Sequence, residues 1–170
     1  MNRRSAIVIS AVTMLGLTSM LSPAIAQQDA AKEKLVGTWI LISTSGVTAD
    51  GKPMESPFGE KPLGYMMFSP SGHFSYNWVH PDRPKFASNN RMAGSQEENQ
   101  AAVHGNLSAF GTYTISPDGS LTLQIVGSSF PNWNGTTQKR TVEISGDQMK
   151  FTSPATSVGG RAVLMLSRAQ

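Results

Sequence analysis

The best candidates for a polar binding site lie close together in the last third of the chain. Asn132 and Trp133 fall in a segment whose glycines and proline indicate a loop. An aromatic side chain in a loop indicates a role in binding or packing. Gln138 and Arg140 follow shortly afterwards. A guanidinium that faces a cavity can pair with a carboxylate or an enolate. Arg140 is therefore a candidate ligand contact, and the alternative is an arginine that faces solvent or supports the loop.

The histidines and acidic residues form no recognisable catalytic or metal-binding pattern. The three histidines are scattered, and only a proline separates His80 from Asp82, which is not a usual ligand spacing. Glu97 and Glu98 are explained by a cap at the start of a predicted helix. The sequence also contains no Gly-x-Ser-x-Gly, phosphate-loop or dinucleotide motif. We therefore predict no catalytic residue, no metal site and no cofactor.

An alternating aromatic stripe gives the clearest strand signal in the chain. Phe74, Tyr76 and Trp78 fall on one face of the segment 73–79, and polar residues fall on the other. The preceding segment 64–68 and a turn with proline and glycine complete a hairpin. These aromatic side chains either fill a core or line a cavity for an apolar ligand. The full set of candidate ligand-binding residues is Tyr65, Met67, Phe74, Tyr76, Trp78, Tyr113, Asn132, Trp133, Gln138 and Arg140.

About eight strand-like segments follow one another between residues 35 and 168, several of them joined by four-residue turns. Such spacing is typical of an antiparallel meander. Ser95 and Glu98 form a capping box, which predicts one short surface or lid helix from Gln96 to about His104. Eight strands close into a barrel that side chains can fill or that can hold one small ligand. The predicted fold is therefore all-β, an eight-stranded antiparallel barrel with one short helix between strands.

The first 26 residues have the three parts of a secretory signal peptide. Arg3 and Arg4 precede an uncharged apolar run, and Ala24-Ile25-Ala26 matches a cleavage site. The alternative is an uncleaved membrane anchor, because the run is nearly long enough to span a bilayer. After cleavage, residues 27–34 form a linker or a short helix near the barrel end, and residues 35–170 form the barrel domain. The predicted location is the periplasm or the medium, with no membrane span after cleavage.

Composition limits the possible partners. The chain has no cysteine, which excludes disulfides, thiol catalysis, thiolate metal sites and lipid attachment at a cysteine. The formal charge of +3 falls to about +1 when Arg3 and Arg4 are removed with the leader. This balance does not predict a nucleic-acid partner. The expected partner is a small hydrophobic or amphipathic ligand, and the oligomeric state stays open.

An ordered set of short motifs resembles the bacterial and fungal lipocalin-like domain family over nearly the whole segment from Leu35 to Arg168. The motifs are Leu35-Val36-Gly37-Thr38-Trp39, Gly64-Tyr65 with Ser71-Gly72, Asp82-Arg83-Pro84, Phe110-Gly111-Thr112-Tyr113, Phe130-Pro131-Asn132-Trp133-Asn134-Gly135-Thr136 with Arg140, and Arg168. Gly-x-Trp alone is a weak signal, whereas the ordered set is much more specific. The resemblance implies a lipocalin-like barrel and implies little about activity.

The resemblance also implies a structural role for both ends of the barrel domain. In such barrels the tryptophan of the first strand closes the base, and a basic residue near the chain's end packs over it. This assigns Gly37, Trp39 and Arg168 to barrel closure, with Arg161 as the alternative partner of Trp39.

Three functional hypotheses follow. The leading one is an exported barrel that binds a small, mainly apolar molecule without catalysis. The second is a small isomerase or cyclase, an activity found among some fungal relatives, that would stabilise an enolate near Tyr113, Arg140 and one histidine. Many relatives place a histidine pair before the Phe-Pro-Asn-Trp segment, but Leu123 and Gln124 stand there in this chain, so that pair's role is not transferred. The third is a protein-binding or inhibitory module that acts through its loops, chiefly 45–62 and 127–135.

Overall fold

The computed structural model describes residues 23–170, so most of the predicted signal peptide lies outside the described residues. The elements are α1 (Pro23–Leu35), β1 (Gly37–Val47), β2 (Leu63–Phe68), β3 (His73–Val79), α2 (Gln96–His104), β4 (Asn106–Ile115), β5 (Ser120–Ser128), β6 (Thr137–Ser145), β7 (Gln148–Ser153) and β8 (Arg161–Arg168). A short 3₁₀ helix, Pro131–Trp133, lies between β5 and β6. Within residues 23–170, no helix is both long and apolar enough to cross a membrane.

The eight strands form one closed barrel in which each strand is antiparallel to its neighbours. β1 pairs with β8 and closes the ring, with Trp39 opposite Arg168 and Val47 opposite Arg161. Short turns join β2 to β3, β4 to β5 and β6 to β7 at one end, here named the closed end. Longer segments join the strands at the other end, the open end. The prediction of an eight-stranded antiparallel barrel with a short helix between strands is confirmed.

Side chains fill the closed half of the barrel. Because strand residues alternate between the inside and the outside, every second residue points to the axis. Trp39, Met66 and Leu166 are completely buried there. The rings of Phe68 and Tyr113 meet edge to face in the same half, with their centroids 5.0 Å apart. The barrel is therefore solid at its closed end.

Helix α1 covers the closed end, so residues 27–34 are helical rather than an extended linker. Leu35, its last residue, is completely buried, and Ala31, one turn earlier, packs against the core. The carbonyl of Leu35 accepts a hydrogen bond of 2.9 Å from Nε1 of Trp39. Ala31 and Leu35 lie four residues apart, so they share the face of this polar helix that packs against the barrel.

The side chains of Tyr65 and Met67 lie on the outer face of the barrel, where they are 55% and 47% exposed. Their neighbours on β2, Met66 and Phe68, are the buried ones. Successive strand residues point to opposite faces, so both pairs cannot face the axis. The interpretation of Tyr65 and Met67 as cavity residues is therefore wrong.

Helix α2 begins at the predicted capping box, which is confirmed. The hydroxyl of Ser95 accepts a hydrogen bond from the N–H of Glu98, and the Glu98 carboxylate accepts one of 2.8 Å from the N–H of Ser95. The other oxygen of that carboxylate accepts a bond of 2.8 Å from the N–H of Ala87 and so ties the helix to the preceding loop. None of its residues is buried, so α2 is a surface element at the open end.

Candidate ligand-binding cavity

The open half of the barrel contains a cavity of about 90 Å³. Its walls come from strands on several sides of the barrel and from open-end loops that cover it. The strand residues in the wall include Tyr76, Trp78, Leu107, Arg140, Phe151 and Leu164. Pockets for drug-sized ligands occupy about 300–1,000 Å³. The cavity in this conformation is therefore smaller than the pocket of a drug-sized ligand and suits a small molecule or one end of a larger one.

Two stacked aromatic rings form one wall of the cavity. The rings of Tyr76 and Trp78 are 12° from parallel, with their centroids 4.1 Å apart, and Trp78 also meets Phe58 edge to face at 6.0 Å. Gly64 on the neighbouring strand leaves no room for a side chain. A Cβ there would lie 2.2 Å from the carbonyl oxygen of Asn77 and 2.8 Å from Cδ1 of Trp78. The backbone of β2 therefore packs directly against the indole and holds this wall in place.

Arg140 is a buried cation on the cavity wall. The residue is only 9% exposed, and no carboxylate of residues 23–170 lies within ion-pair distance of it. One terminal nitrogen donates to the carbonyl of Lys139 at 2.8 Å, and the other donates to the side-chain oxygen of Gln138. A guanidinium has five N–H groups, so these two bonds leave further donors. Burial of a charge without a counter-ion costs free energy.

The surroundings of the cavity favour a neutral phenol at Tyr76 and a charged guanidinium at Arg140. Burial raises the pKa of Tyr76, and the charge of Arg140 offsets only part of that effect. Burial also lowers the pKa of Arg140, although a guanidinium stays protonated in proteins. Nε1 of Trp78 is a buried donor without a hydrogen-bond partner among the described residues. The cavity wall is therefore largely apolar and carries several hydrogen-bond donors.

Phe58 stands between the cavity and a wider groove on the open end. The groove has a volume of about 760 Å³ and runs past α2 and the loop that contains His80 and Arg83. Phe58 lines both spaces and is only 7% exposed. The two spaces share a wall formed by residues 55–58, Leu107, Ser157 and Val158, and Phe58 is the largest side chain in it.

The structure brings together four of the ten predicted ligand-binding residues. Tyr76, Trp78, Trp133 and Arg140 all line the cavity. Gln138 does not line it, but its side chain holds the guanidinium of Arg140.

The remaining predicted residues lie elsewhere. Phe74 and Tyr113 are buried in the solid closed half, where the hydroxyl of Tyr113 donates to the carbonyl of Ser69 at 2.8 Å. Asn132 is exposed on the loop and contributes nothing to the cavity wall. None of these three lines the cavity: alternation predicts which face of a strand Phe74 and Tyr113 occupy but not their depth along the barrel, and Asn132 lies outside the strands.

Several cavity residues were not identified from the sequence. Phe151 and Leu164 follow the inward alternation of Met149 and Leu166, and that pattern was the available signal. Phe58 is an apolar residue in a loop rich in glycine and proline, which gave little indication that it turns inward.

The chain forms a closed eight-stranded antiparallel barrel with an aromatic-walled internal cavity, an architecture that can hold one small ligand. The sequence profile of the lipocalin-like domain matches residues 36–165, and the chain belongs to this family. The predicted resemblance is therefore confirmed.

Two known proteins are similar to this chain. The 4'-hydroxy-3'-methoxypropiophenone carrier protein of Aspergillus oryzae is 31% identical over 83 residues, which cover 44% of this chain and 74% of the relative. The crystal structure of a variant of the fluorescent protein UnaG aligns with a TM-score of 0.38 and 15% identity, over 81% of this chain and 97% of that one. The second similarity is too distant to inform function.

Proposed function

We propose that this protein is an exported barrel that binds a small, mainly apolar molecule and performs no catalysis. The observation that carries the proposal is the division of the barrel into a solid closed half and an open half with an aromatic-walled cavity. A ligand in this cavity would exchange water for contact with Tyr76, Trp78 and Phe151, which stabilises the complex by about 25 cal/mol per Å² of apolar surface buried. The carrier role of the Aspergillus oryzae relative supports this function.

The alternative isomerase or cyclase requires an acid or base that reaches the substrate. The described residues of the cavity wall include one carboxylate, Glu55, and no histidine. Glu55 is exposed at the rim, and burial raises the pKa of Tyr76, so its phenol is a weaker acid than usual and does not act as a base. These observations favour binding without chemistry.

The alternative loop-mediated module requires an exposed aromatic patch around Trp133. Trp133 is instead partly buried, lines the cavity and meets Phe130 edge to face at 5.7 Å. Its position supports a function inside the barrel.

Fluorescence of the two cavity tryptophans, Trp78 and Trp133, provides a test of binding. The probes are 4'-hydroxy-3'-methoxypropiophenone and smaller single-ring aromatics. Binding should quench this fluorescence. Ala162→Phe places a ring in the cavity wall and should lower the affinity for the probe at least tenfold. Tyr65→Phe on the outer face is the control. Absence of binding for every probe, or equal binding by Ala162→Phe, would contradict the proposal.

The export step rests on the signal-peptide pattern of residues 1–26 and has a separate test. Intact-mass measurement of protein recovered from the periplasm or the medium should find a chain that begins at Gln27. A full-length chain that stays in the cytoplasm would show that this part of the proposal is wrong.

A further inference from the structure

We propose that the ligand is a flat aromatic molecule with an anionic oxygen, and that Arg140 binds this oxygen while Tyr76 and Trp78 contact the ring. The inference rests on the proposed function, because it specifies the chemistry of the molecule held in the same cavity. A carboxylate and a phenolate share this chemistry, since each presents a charged oxygen beside an aromatic ring.

The first argument is the unmatched charge of Arg140. Another inward-turned arginine, Arg168, donates to two backbone carbonyls and also lies 3.7 Å from the carboxylate of Asp147. Arg140 is more deeply buried, yet its two hydrogen bonds go to neutral oxygens of Lys139 and Gln138. Buried charges in proteins are generally paired. An anion in the cavity would supply the charge that the described chain does not.

The second argument is the way Arg140 is held. Gln138 lies two residues earlier on the same strand, and its side-chain oxygen fixes one arm of the guanidinium. The bond to the carbonyl of Lys139 fixes the other arm. A guanidinium presents its donors in a rigid planar fork, which suits an oxygen anion better than a single neutral acceptor. The orientation is therefore set before a ligand arrives, which reduces the entropy lost on binding.

The third argument concerns the aromatic part of the ligand. Phe58, Tyr76, Trp78 and Phe151 line the cavity, so a ligand held there is surrounded by aromatic rings, and the volume of about 90 Å³ limits it to a small group. Aromatic pairs favour offset-stacked or edge-to-face contacts, which an aromatic ligand would make with these side chains.

A set of three matched probes separates charge from shape. The probes are 4-ethylbenzoate, 4-ethylbenzamide and 4-ethyltoluene, which share a ring and differ in the group at one end. Affinities are measured by calorimetry at pH 7 for the wild-type full chain, Arg140→Met and Lys139→Met. Lys139 is the matched control, because it is the adjacent lysine and its side chain lies on the exposed face of β6. Thermal melting of each variant establishes that it is folded.

The wild type should bind the carboxylate about tenfold or more tightly than the amide, as expected for a charge-assisted bond in a dry site. Arg140→Met should bring this ratio to within about threefold, whereas Lys139→Met should keep it. A ratio near one in the wild type, with all three probes bound, would overturn the inference and leave the proposed function standing. A preference that survives in Arg140→Met would overturn the role of Arg140. Failure of all three probes to bind the wild type would overturn both proposals.

Discussion

The guanidinium carbon of Arg168 lies 4.2 Å from the centre of the Trp39 indole ring, and the two residues join the last strand to the first. Arg168 also donates hydrogen bonds of 2.9 and 2.7 Å to the carbonyls of Val36 and Lys34 at the end of α1. Gly37 permits this approach, since its φ of +132° is unfavourable for other residues and a Cβ would lie 2.8 Å from the arginine. The closed end is thus held by one cation, one indole and the helix.

Replacement of Trp39 by alanine should destabilise the protein without removing the cavity at the other end. The indole is completely buried, and truncation of such a side chain costs about 3–5 kcal/mol, or roughly 6–20 °C in Tm for a chain of this size. Differential scanning calorimetry measures this change. Arg161→Ala, on the same strand as Arg168 but exposed, is the control and should leave Tm nearly unchanged. An unchanged Tm for Trp39→Ala would contradict the closure role.

The sequence predicted the barrel well because its signals are local. Alternation along 73–79, turns with proline and glycine, and the capping box at Ser95 each depend on residues close together in the chain. The cavity was predicted only in part, since its position depends on where each inward residue lies along the barrel axis. Phe74 and Trp78 share one face of β3, yet one fills the core and the other lines the cavity. Phe58 reaches the cavity through a loop fold that no local pattern indicates.

Stability should fall at alkaline pH because Tyr76 is buried as a neutral phenol. Burial raises its folded-state pKa above the unfolded value of about 10. The contribution of the neutral phenol to the free energy of unfolding is therefore complete below about pH 10. It is lost as the pH rises above that value, because the unfolded state then releases the proton and the folded state keeps it. Tyr76 alone can lower the free energy of unfolding by at most about 1.4 kcal/mol for each pH unit. Urea denaturation between pH 8 and 11 should show a smaller decline for Tyr76→Phe than for the wild type, with Tyr65→Phe as the control for loss of a hydroxyl. Identical slopes for Tyr76→Phe and the wild type would contradict this prediction.

The cap of α2 should weaken in acid. Hydrogen bonds from the backbone N–H groups of Ala87 and Ser95 lower the pKa of Glu98 below its usual range. The cap is therefore present above the ordinary glutamate pKa and is lost as the pH falls through the lowered value. The amide proton signals of Ala87 and Ser95 should shift together over this acid range in NMR spectra. Glu98→Gln should abolish the shared titration, whereas Glu60→Gln, an exposed loop change, should preserve it. Independent titration of the two amides would count against a common carboxylate.

Removal of the ring of Phe58 should open the route between the cavity and the outer groove. The ring lines both spaces and rests edge to face on Trp78, so we expect a ligand that enters from the groove to displace it. Phe58→Ala should therefore increase both the association and the dissociation rate of a bound aromatic probe, by severalfold or more. Dissociation should increase more, because the apolar contact of the ring with the ligand is lost as well. Stopped-flow tryptophan fluorescence with 4'-hydroxy-3'-methoxypropiophenone measures both rates, and Phe110→Ala on the outer face is the control. A variant that changes only the dissociation rate would show that Phe58 contacts the ligand without controlling its entry.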